Sequence, residues 1–311
     1  MNEHWPELQF SAWQAARETL HLWTQVIGKV RLMRTPWLNH SWHAALYVNS
    51  RGLSTSSIPY ESRSFEIQLD FIDHVLKITV SDGQLRLRPL RSESVADFYR
   101  AVMTALEDLG LPVAINENPC ELGGATPFSQ DRSHAVYNPD YTRRFWQILL
   151  QTDRLLKEFR TGFLGKCSPV HFFWGSFDLA VTRFSGRSAP RYERKVPGVS
   201  IEVMRDAYSH EVSSAGFWPG GGGIEYPAFY SYTYPTLEGF AKCTVRPEGA
   251  FFSEELAQFL LPYKIVRTAA DPDAALLTFL QSTYEAAARS MSWDRAVLEC
   301  QLGRPGICRP V

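Results

Sequence analysis

The sequence predicts an α+β fold in which antiparallel sheets are covered by long helices. Stretches with apolar residues at every third or fourth position, typical of one-sided helices, alternate with stretches in which every second residue is apolar, typical of one-sided strands. The order helix, strands, helix occurs twice along the 311 residues. We therefore expect two related helix–sheet–helix halves, residues 1–115 and 139–311, joined by residues 116–138 and packed as one compact unit.

The composition favours a protein with a large core and excludes several partners. Apolar residues make up 45% of the chain, and 32 Lys and Arg balance 33 Asp and Glu. The basic residues are dispersed, so no nucleic-acid or anionic membrane partner is expected. No run of about 18 apolar residues and no signal-peptide pattern occurs. Five cysteines without a C-x-x-C pair indicate reduced thiols, so we expect a cytoplasmic protein.

A helix and a meander of strands make up most of the first half. Residues 10–30 carry an apolar stripe at helical spacing, and the helix should end before Pro36 because proline disfavours helical geometry in the residue before it. Residues 65–71 alternate strictly between apolar and polar, and 76–80 and 85–87 continue the alternation. The pattern predicts an antiparallel sheet with its apolar side chains buried and its polar side chains in water.

Caps mark the start of the remaining long helices. Ser94 is a typical N-cap, and Gly110 is a natural stop for the helix that follows it. Asn138-Pro139 and Asp271-Pro272 combine an N-capping residue with a proline in the first turn. Between these two starts, strands are expected to begin at His171 and to cover residues 211–217 and 228–234.

Four segments resemble one protein family. They are GKCSPVHFFWGSFDLAVTRFSGR (165–187), YSHEVSSAGFWPGGG (208–222), LHLWTQVIGKVRL (20–32) and FLQSTYEAAA (279–288). Together they resemble the signature of the domain of unknown function 5996, an uncharacterised and mainly bacterial family. The resemblance covers nearly the whole chain, but it implies membership alone, because the family carries no established activity, cofactor or catalytic residues.

The candidate catalytic residues are His171, His210 and Glu211. Histidine titrates near neutrality and is the commonest metal ligand, so the three could form an acid/base or metal site. Adjacent strand residues point to opposite faces, so His210 and Glu211 would share a site only at a strand entrance or bulge. On the same ground Asp178, seven residues after His171, should face away from it. The alternative is that each histidine anchors a strand end by hydrogen bonds.

The aromatic strand at 228–234 suggests a binding site. Its tyrosines fall on one face, with Phe229 on the other, and Arg183 and Arg187 are expected to lie within reach of them. Such a row suits a pocket between the halves for a planar or anionic organic ligand. Alternatively, the row packs under a helix or against a second subunit of a homo-oligomer. The candidate ligand-binding residues are Trp174, Arg183, Trp218, Tyr230 and Tyr232.

Two functional classes follow from these residues. The first is a small-molecule binding protein, with acid/base or metal-assisted hydrolysis as its most concrete reaction. The second is a non-catalytic structural or protein-interaction module that uses the aromatic strand face. Known phosphate, nucleophile-elbow and dinucleotide motifs all fail on inspection, so the sequence assigns no cofactor and no metal, nor does it decide whether the protein is an enzyme. The glycines at 220–223 are expected to form a mobile loop that could cover the aromatic residues.

Overall fold

The structure is a computed structural model that describes residues 4–309. Within these residues it contains eight α-helices and two antiparallel sheets, so the predicted α+β class is confirmed. None of these helices is long and apolar enough to cross a membrane. The helices are α1 Phe10–Arg34, α2 Val95–Asp108, α3 Pro139–Thr161, α4 Ile201–Ala207, α5 Glu238–Ala241, α6 Tyr263–Arg267, α7 Pro272–Ser290 and α8 Arg295–Leu298.

Each sheet has six strands. The first sheet has the order β1-β2-β4-β5-β6, with β3 paired to β4, and the second has the order β11-β12-β10-β9-β8-β7. All pairs are antiparallel. The strands are β1 Tyr47–Asn49, β2 Gly52–Ser54, β3 Ile58–Tyr60, β4 Arg63–Asp70, β5 Val75–Val80, β6 Leu85–Pro89, β7 His171–Phe173, β8 Asp178–Ser188, β9 His210–Trp218, β10 Ala228–Tyr234, β11 Phe251–Ser253 and β12 Gln258–Pro262.

The caps act as the sequence predicts. The side chains of Ser94, Asn138 and Asp271 accept hydrogen bonds from backbone N–H groups three residues later, at 3.1, 3.1 and 2.9 Å. These bonds satisfy donors that a helix start leaves unpaired. Helix α1 ends at Arg34, before Pro36, as predicted.

Helix α1 is the central element of the core. Every residue from Thr19 to Arg31 is buried, polar ones included. These polar groups bind the backbone of the connecting segment: the Gln25 amide exchanges hydrogen bonds with the N–H and C=O of Cys120, at 2.9 and 3.0 Å. Lys29 donates to the carbonyls of Asn116 and Asn118. The connecting segment is therefore fixed against α1.

A short backbone bridge joins the two sheets. Leu46, just before β1, exchanges two hydrogen bonds of 2.9 Å with Phe172 in β7. The first sheet lies wholly before residue 116 and the second wholly after residue 138. That the two halves are related to one another stays a prediction.

Two details of the strands correct the sequence-based expectations. β7 and β8 form a hairpin in which His171 pairs with Ala180 and Phe173 with Asp178. Asp178 therefore faces the same side as His171, because a turn replaces the single strand that was assumed. In β6, Leu85 and Leu87 are 42% and 59% exposed rather than buried, since their strand forms the sheet's edge and they lie on its outer face.

Candidate functional site

A cavity of about 560 Å³ lies on the outer face of the second sheet. Alternate residues of each strand form its floor, because neighbours along a strand point to opposite faces. The residues between them, such as Leu179, Phe217 and Phe229, are buried in the core on the inner face. The floor residues are Asp178, Ala180, Thr182, Phe184, Val212, Ser214, Tyr230 and Tyr232.

Residues 192–208, which include α4, cover this floor and are called the roof segment below. The rings of Tyr192 and Tyr208 stack with their centres 4.8 Å apart. Tyr208 then donates its hydroxyl to the hydroxyl of Tyr232 at 3.1 Å, which ties the roof to the floor. At the other end, the backbone N–H of Glu121 donates to the carbonyl of Pro197 at 2.7 Å. The aromatic strand face is thus covered by the same chain.

Asp178 and Tyr230 form a buried acidic pair in the cavity floor. The Tyr230 hydroxyl donates to Oδ2 of Asp178, while Oδ1 has no hydrogen-bond partner among residues 4–309. Burial raises the pKa of Asp178 to about 7, although the Tyr230 hydrogen bond opposes the shift and the nearby charge of Glu121 adds to it. Burial also raises the pKa of Tyr230 well above its ordinary value. Asp178 therefore changes protonation near neutral pH.

Glu121 supplies a second carboxyl group to the cavity. The residue as a whole is exposed, but its carboxylate points inward, accepts a hydrogen bond of 2.6 Å from Ser176 and lies directly over Gly175. A Cβ at Gly175 would come within 2.1 Å of Oε1, so any larger residue there would displace the carboxylate. This enclosure raises the pKa of Glu121, and the Ser176 hydrogen bond partly offsets the shift.

Two histidines hold the cavity wall in place. Nε2 of His21 lies 2.8 Å from the carbonyl oxygen of Gly175, and Nδ1 of His40 lies 2.7 Å from that of Ala207. A carbonyl only accepts, so each of these nitrogens carries a proton and donates. Burial lowers the pKa of His21 to about 3 and also lowers the pKa of His40. Both rings are therefore neutral anchors at pH 7.

Three of the five predicted ligand-binding residues line the cavity, and the other two are buried elsewhere. Trp218, Tyr230 and Tyr232 line the cavity. Trp174 instead is buried, donates to the carbonyl of Ala44 at 2.7 Å and packs against α1. Arg183 lies on the inner face, where it donates to the carbonyl of Phe159 and stacks on aromatic rings of the core.

The three predicted catalytic residues lie in three separate environments. None of these residues lines the cavity. His171 is buried, and the ring centre of Trp42, a cavity residue, lies 5.6 Å from its own. Both ring nitrogens of His171 lack a hydrogen-bond partner within the described part of the chain, and burial lowers its pKa to about 3.

His210 pairs opposite Ser188, whereas His171 pairs opposite Ala180, eight residues earlier in β8. Glu211 accepts hydrogen bonds from Ser185, Arg187 and Trp293 at 2.8, 2.7 and 3.0 Å. Among residues 4–309, no group of three or more His, Cys, Asp or Glu is placed to hold a metal ion. A catalytic role for His171, His210 and Glu211 stays a prediction.

Sequence reasoning missed several residues that line the cavity. The sequence pattern predicts that Asp178 faces away from His171 and so does not place it in a site, although a lone acid within an apolar run is itself a signal. Arg17 and Glu121 gave weaker signals, since charged residues at such positions usually lie in water. Their placement depends on the burial of α1 and on the fixed path of the connecting segment.

The fold and the cavity define an α+β protein with a covered cavity on one sheet, whose largely apolar and aromatic lining carries a few acidic and hydroxyl groups. The chain belongs to DUF5996, a family of unknown function whose model matches residues 5–300. This match confirms the resemblance found in the sequence. No curated protein and no solved structure matches the chain. Function must therefore be inferred from the cavity.

Proposed function

We propose that the protein binds a small organic molecule in the cavity and that Asp178, with Tyr230, exchanges a proton with it. The volume of about 560 Å³ is within the range of about 300–1,000 Å³ typical of ligand pockets. Trp42, Phe184 and Trp218 give it aromatic walls suited to a planar group. Carboxyl and hydroxyl groups in the floor can orient polar substituents.

The protonation of Asp178 carries the acid/base part of the proposal. A general acid or base works best when its pKa is near the working pH, and burial brings the pKa of Asp178 to about 7. Its Oδ1 keeps the capacity for one further hydrogen bond. Asp178 would therefore give or take the proton, while Tyr230 would position it through Oδ2.

The alternative, an interaction module that uses the aromatic strand face, is less favoured by the roof segment. Tyr230 and Tyr232 lie beneath residues 192–208, so that strand face is not free to meet a partner. For the same reason, no second subunit is needed to cover these tyrosines.

Two measurements test the proposal. Native mass spectrometry of protein purified from its own host should detect a bound small molecule, and Ala180→Phe, which fills the cavity floor, should lose it. Thr79→Phe, on the outer face of the first sheet, is the control and should retain it. Absence of any bound mass and of any binding in a fragment screen would overturn the ligand part.

The acid/base part is tested by ¹³C NMR titration of the Asp178 carboxyl group. We expect a midpoint near pH 7 in the native protein and a higher midpoint in Tyr230→Phe, because the tyrosine hydrogen bond lowers the pKa of Asp178. A midpoint near 4, the ordinary value for aspartate, would remove Asp178 as the proton-exchanging group.

A further inference from the structure

Arg17 of α1 lies where two cavities meet. It is only 7% exposed, and it lines both the first cavity and a second one of about 460 Å³. His21, Leu122 and Gly222 also belong to both walls, so the two spaces share a boundary around the guanidinium group.

The charge of Arg17 has no partner within the described part of the chain. Among these residues no hydrogen bond or ion pair reaches it, and its Nε is buried and unpaired. Its charge is stabilised only by the rings of Phe10 and Phe177, at 5.9 and 5.8 Å, and by the charge of Glu18, which does not pair with it. Burial lowers the pKa of Arg17 to about 10, so it still carries its charge at neutral pH. A buried cation without a partner is unfavourable, which makes this arrangement unusual.

The other buried basic side chains show what is missing. Lys29, Arg31 and Arg183 each donate to at least one backbone carbonyl. All of them are thus used to hold the fold, whereas the donors of Arg17 are left for another group.

The glycines at 220–223 shape the space around Arg17. All four have positive φ, and Gly221 and Ile224 exchange backbone hydrogen bonds of 2.7 and 3.0 Å that close the turn. A Cβ at Gly221 would lie 2.1 Å from Nη2 of Arg17, so only glycine lets the loop approach the guanidinium group.

Acidic residues line the second cavity without neutralising Arg17. Asp131 is bound by His134 at 2.7 Å, and Glu18 accepts from Gln14 at 3.0 Å. Glu225 is exposed in the glycine loop. None of them forms an ion pair with Arg17.

We infer that Arg17 binds a carboxylate or phosphate group of the ligand, so that the ligand is an organic anion. The guanidinium fork matches both groups and forms strong charge-assisted hydrogen bonds with them. This inference rests on the proposed function for the remainder of the ligand, which would occupy the first cavity.

Benzoate, phenyl phosphate and neutral benzamide provide matched probes, because they share the ring and differ in charge. Isothermal titration calorimetry of the full chain should show at least one anion binding about tenfold or more tightly than benzamide. The Nε–Hε NMR signal of Arg17 should shift with that anion. Whichever of benzoate and phenyl phosphate binds more tightly identifies the carboxylate or the phosphate.

Arg17→Met should abolish the preference for anions, and Arg17→Lys should retain part of it because the charge stays. Arg100→Met is the control: its side chain is 61% exposed on α2, and it should bind as the native protein does. Gly221→Ala offers a second route, since its Cβ would displace the guanidinium group. Gly83→Ala has a similarly strained φ but open space around it, so it should leave anion binding unchanged.

The outcomes separate this inference from the proposed function. Binding of benzamide and the anions with equal affinity, or anion binding that survives Arg17→Met, would overturn the anion inference alone. Failure of all three probes to bind would also overturn the anion inference, whereas the cavity's proposed role falls only if native mass spectrometry and the fragment screen detect no ligand either.

Discussion

The two sheets differ in how their outer faces meet water. In β4 and β5 of the first sheet, buried residues alternate with partly exposed ones such as Glu66 and Lys77. In β9, β10 and residues 178–184 of β8 in the second sheet, burial is nearly continuous, because the roof segment covers the outer face. Polar residues on the first face are solvated, whereas those on the second surround a cavity. The position of a polar residue on a strand therefore says little until the cover of that strand is known.

Two buried aspartates show the chemical consequence. Burial alone would raise the pKa of Asp70 at the end of β4, but hydrogen bonds from Arg51 and from the N–H groups of Asp73 and Ile72 outweigh burial and lower it. For Asp178, burial outweighs the hydrogen bonds from the Tyr230 hydroxyl and from its own backbone N–H, so its pKa rises. Asp70 is held as an anion for stability, whereas Asp178 is poised to titrate.

The largest predicted losses of stability come from the inner faces of the sheets. They should be equal in the two sheets, because both inner faces are buried in the core. Phe65→Ala in β4 and Phe217→Ala in β9 each remove a buried ring and should each lower the free energy of unfolding by about 3–5 kcal/mol. Urea denaturation followed by circular dichroism measures both. A loss below about 1 kcal/mol in only one variant would show that one inner face is not part of the core.

The next largest effect is on how stability changes with pH, and it should have opposite signs for Asp178 and Asp70. Asp178 has a folded pKa of about 7 against about 3.9 in the unfolded chain, so the folded state holds its proton more tightly between those values. Stability is therefore lost as pH rises from 4 to 7, by at most about 4 kcal/mol. Asp178→Asn should remove this loss and be more stable than the native protein above pH 7.

Asp70→Asn should act in the opposite direction. Because the folded pKa of Asp70 is lowered, its stabilisation is present above the unfolded pKa and disappears as pH falls through the folded value. The variant should be destabilised by about 1–3 kcal/mol at pH 7 and much less at low pH. Urea unfolding of both variants between pH 2 and 8 covers both titrations and tests the pair, and parallel pH profiles would refute the contrast.

The helix starts and the facing of the aromatic strand could be predicted because short-range chemistry decides them. Ser94, Asn138 and Asp271 cap neighbouring N–H groups wherever the helix lies in the fold. Alternation places Tyr230 and Tyr232 opposite Phe229 in any regular strand.

The cavity could not be predicted because it depends on contacts between distant segments. The hairpin that turns Asp178 toward the cavity places Phe177 at a φ of 61°, where a large side chain is uncommon, so the turn looks like a continuous apolar strand. The ring of Phe177 is stabilised there by packing on His21 and Phe145, with ring centres 4.8 and 5.2 Å away. The local sequence pattern gives no indication of that packing, because it involves residues from distant parts of the chain.

Arg17 was missed for a related reason. Helical periodicity separates a core face from a solvent face only when the helix lies at the surface. From Thr19 to Arg31 α1 is buried on all sides, and Arg17 precedes this stretch by two residues. Its position off the apolar stripe therefore gave no indication that it was buried.

The smallest effect tests the comparison of the outer faces directly. Thr79 in β5 and Thr182 in β8 are both half-buried on outer faces, but only Thr182 shares a hydrogen bond, 2.9 Å, with the hydroxyl of Ser214. Thr182→Val should lower the free energy of unfolding by about 1 kcal/mol, since buried Ser214 loses that partner. Thr79→Val, which keeps the same shape in contact with water, should change it by less than about 0.5 kcal/mol. Equal values for the two in urea denaturation would mean that the roof segment does not remove the second face from water, and the contrast between the sheets would fail.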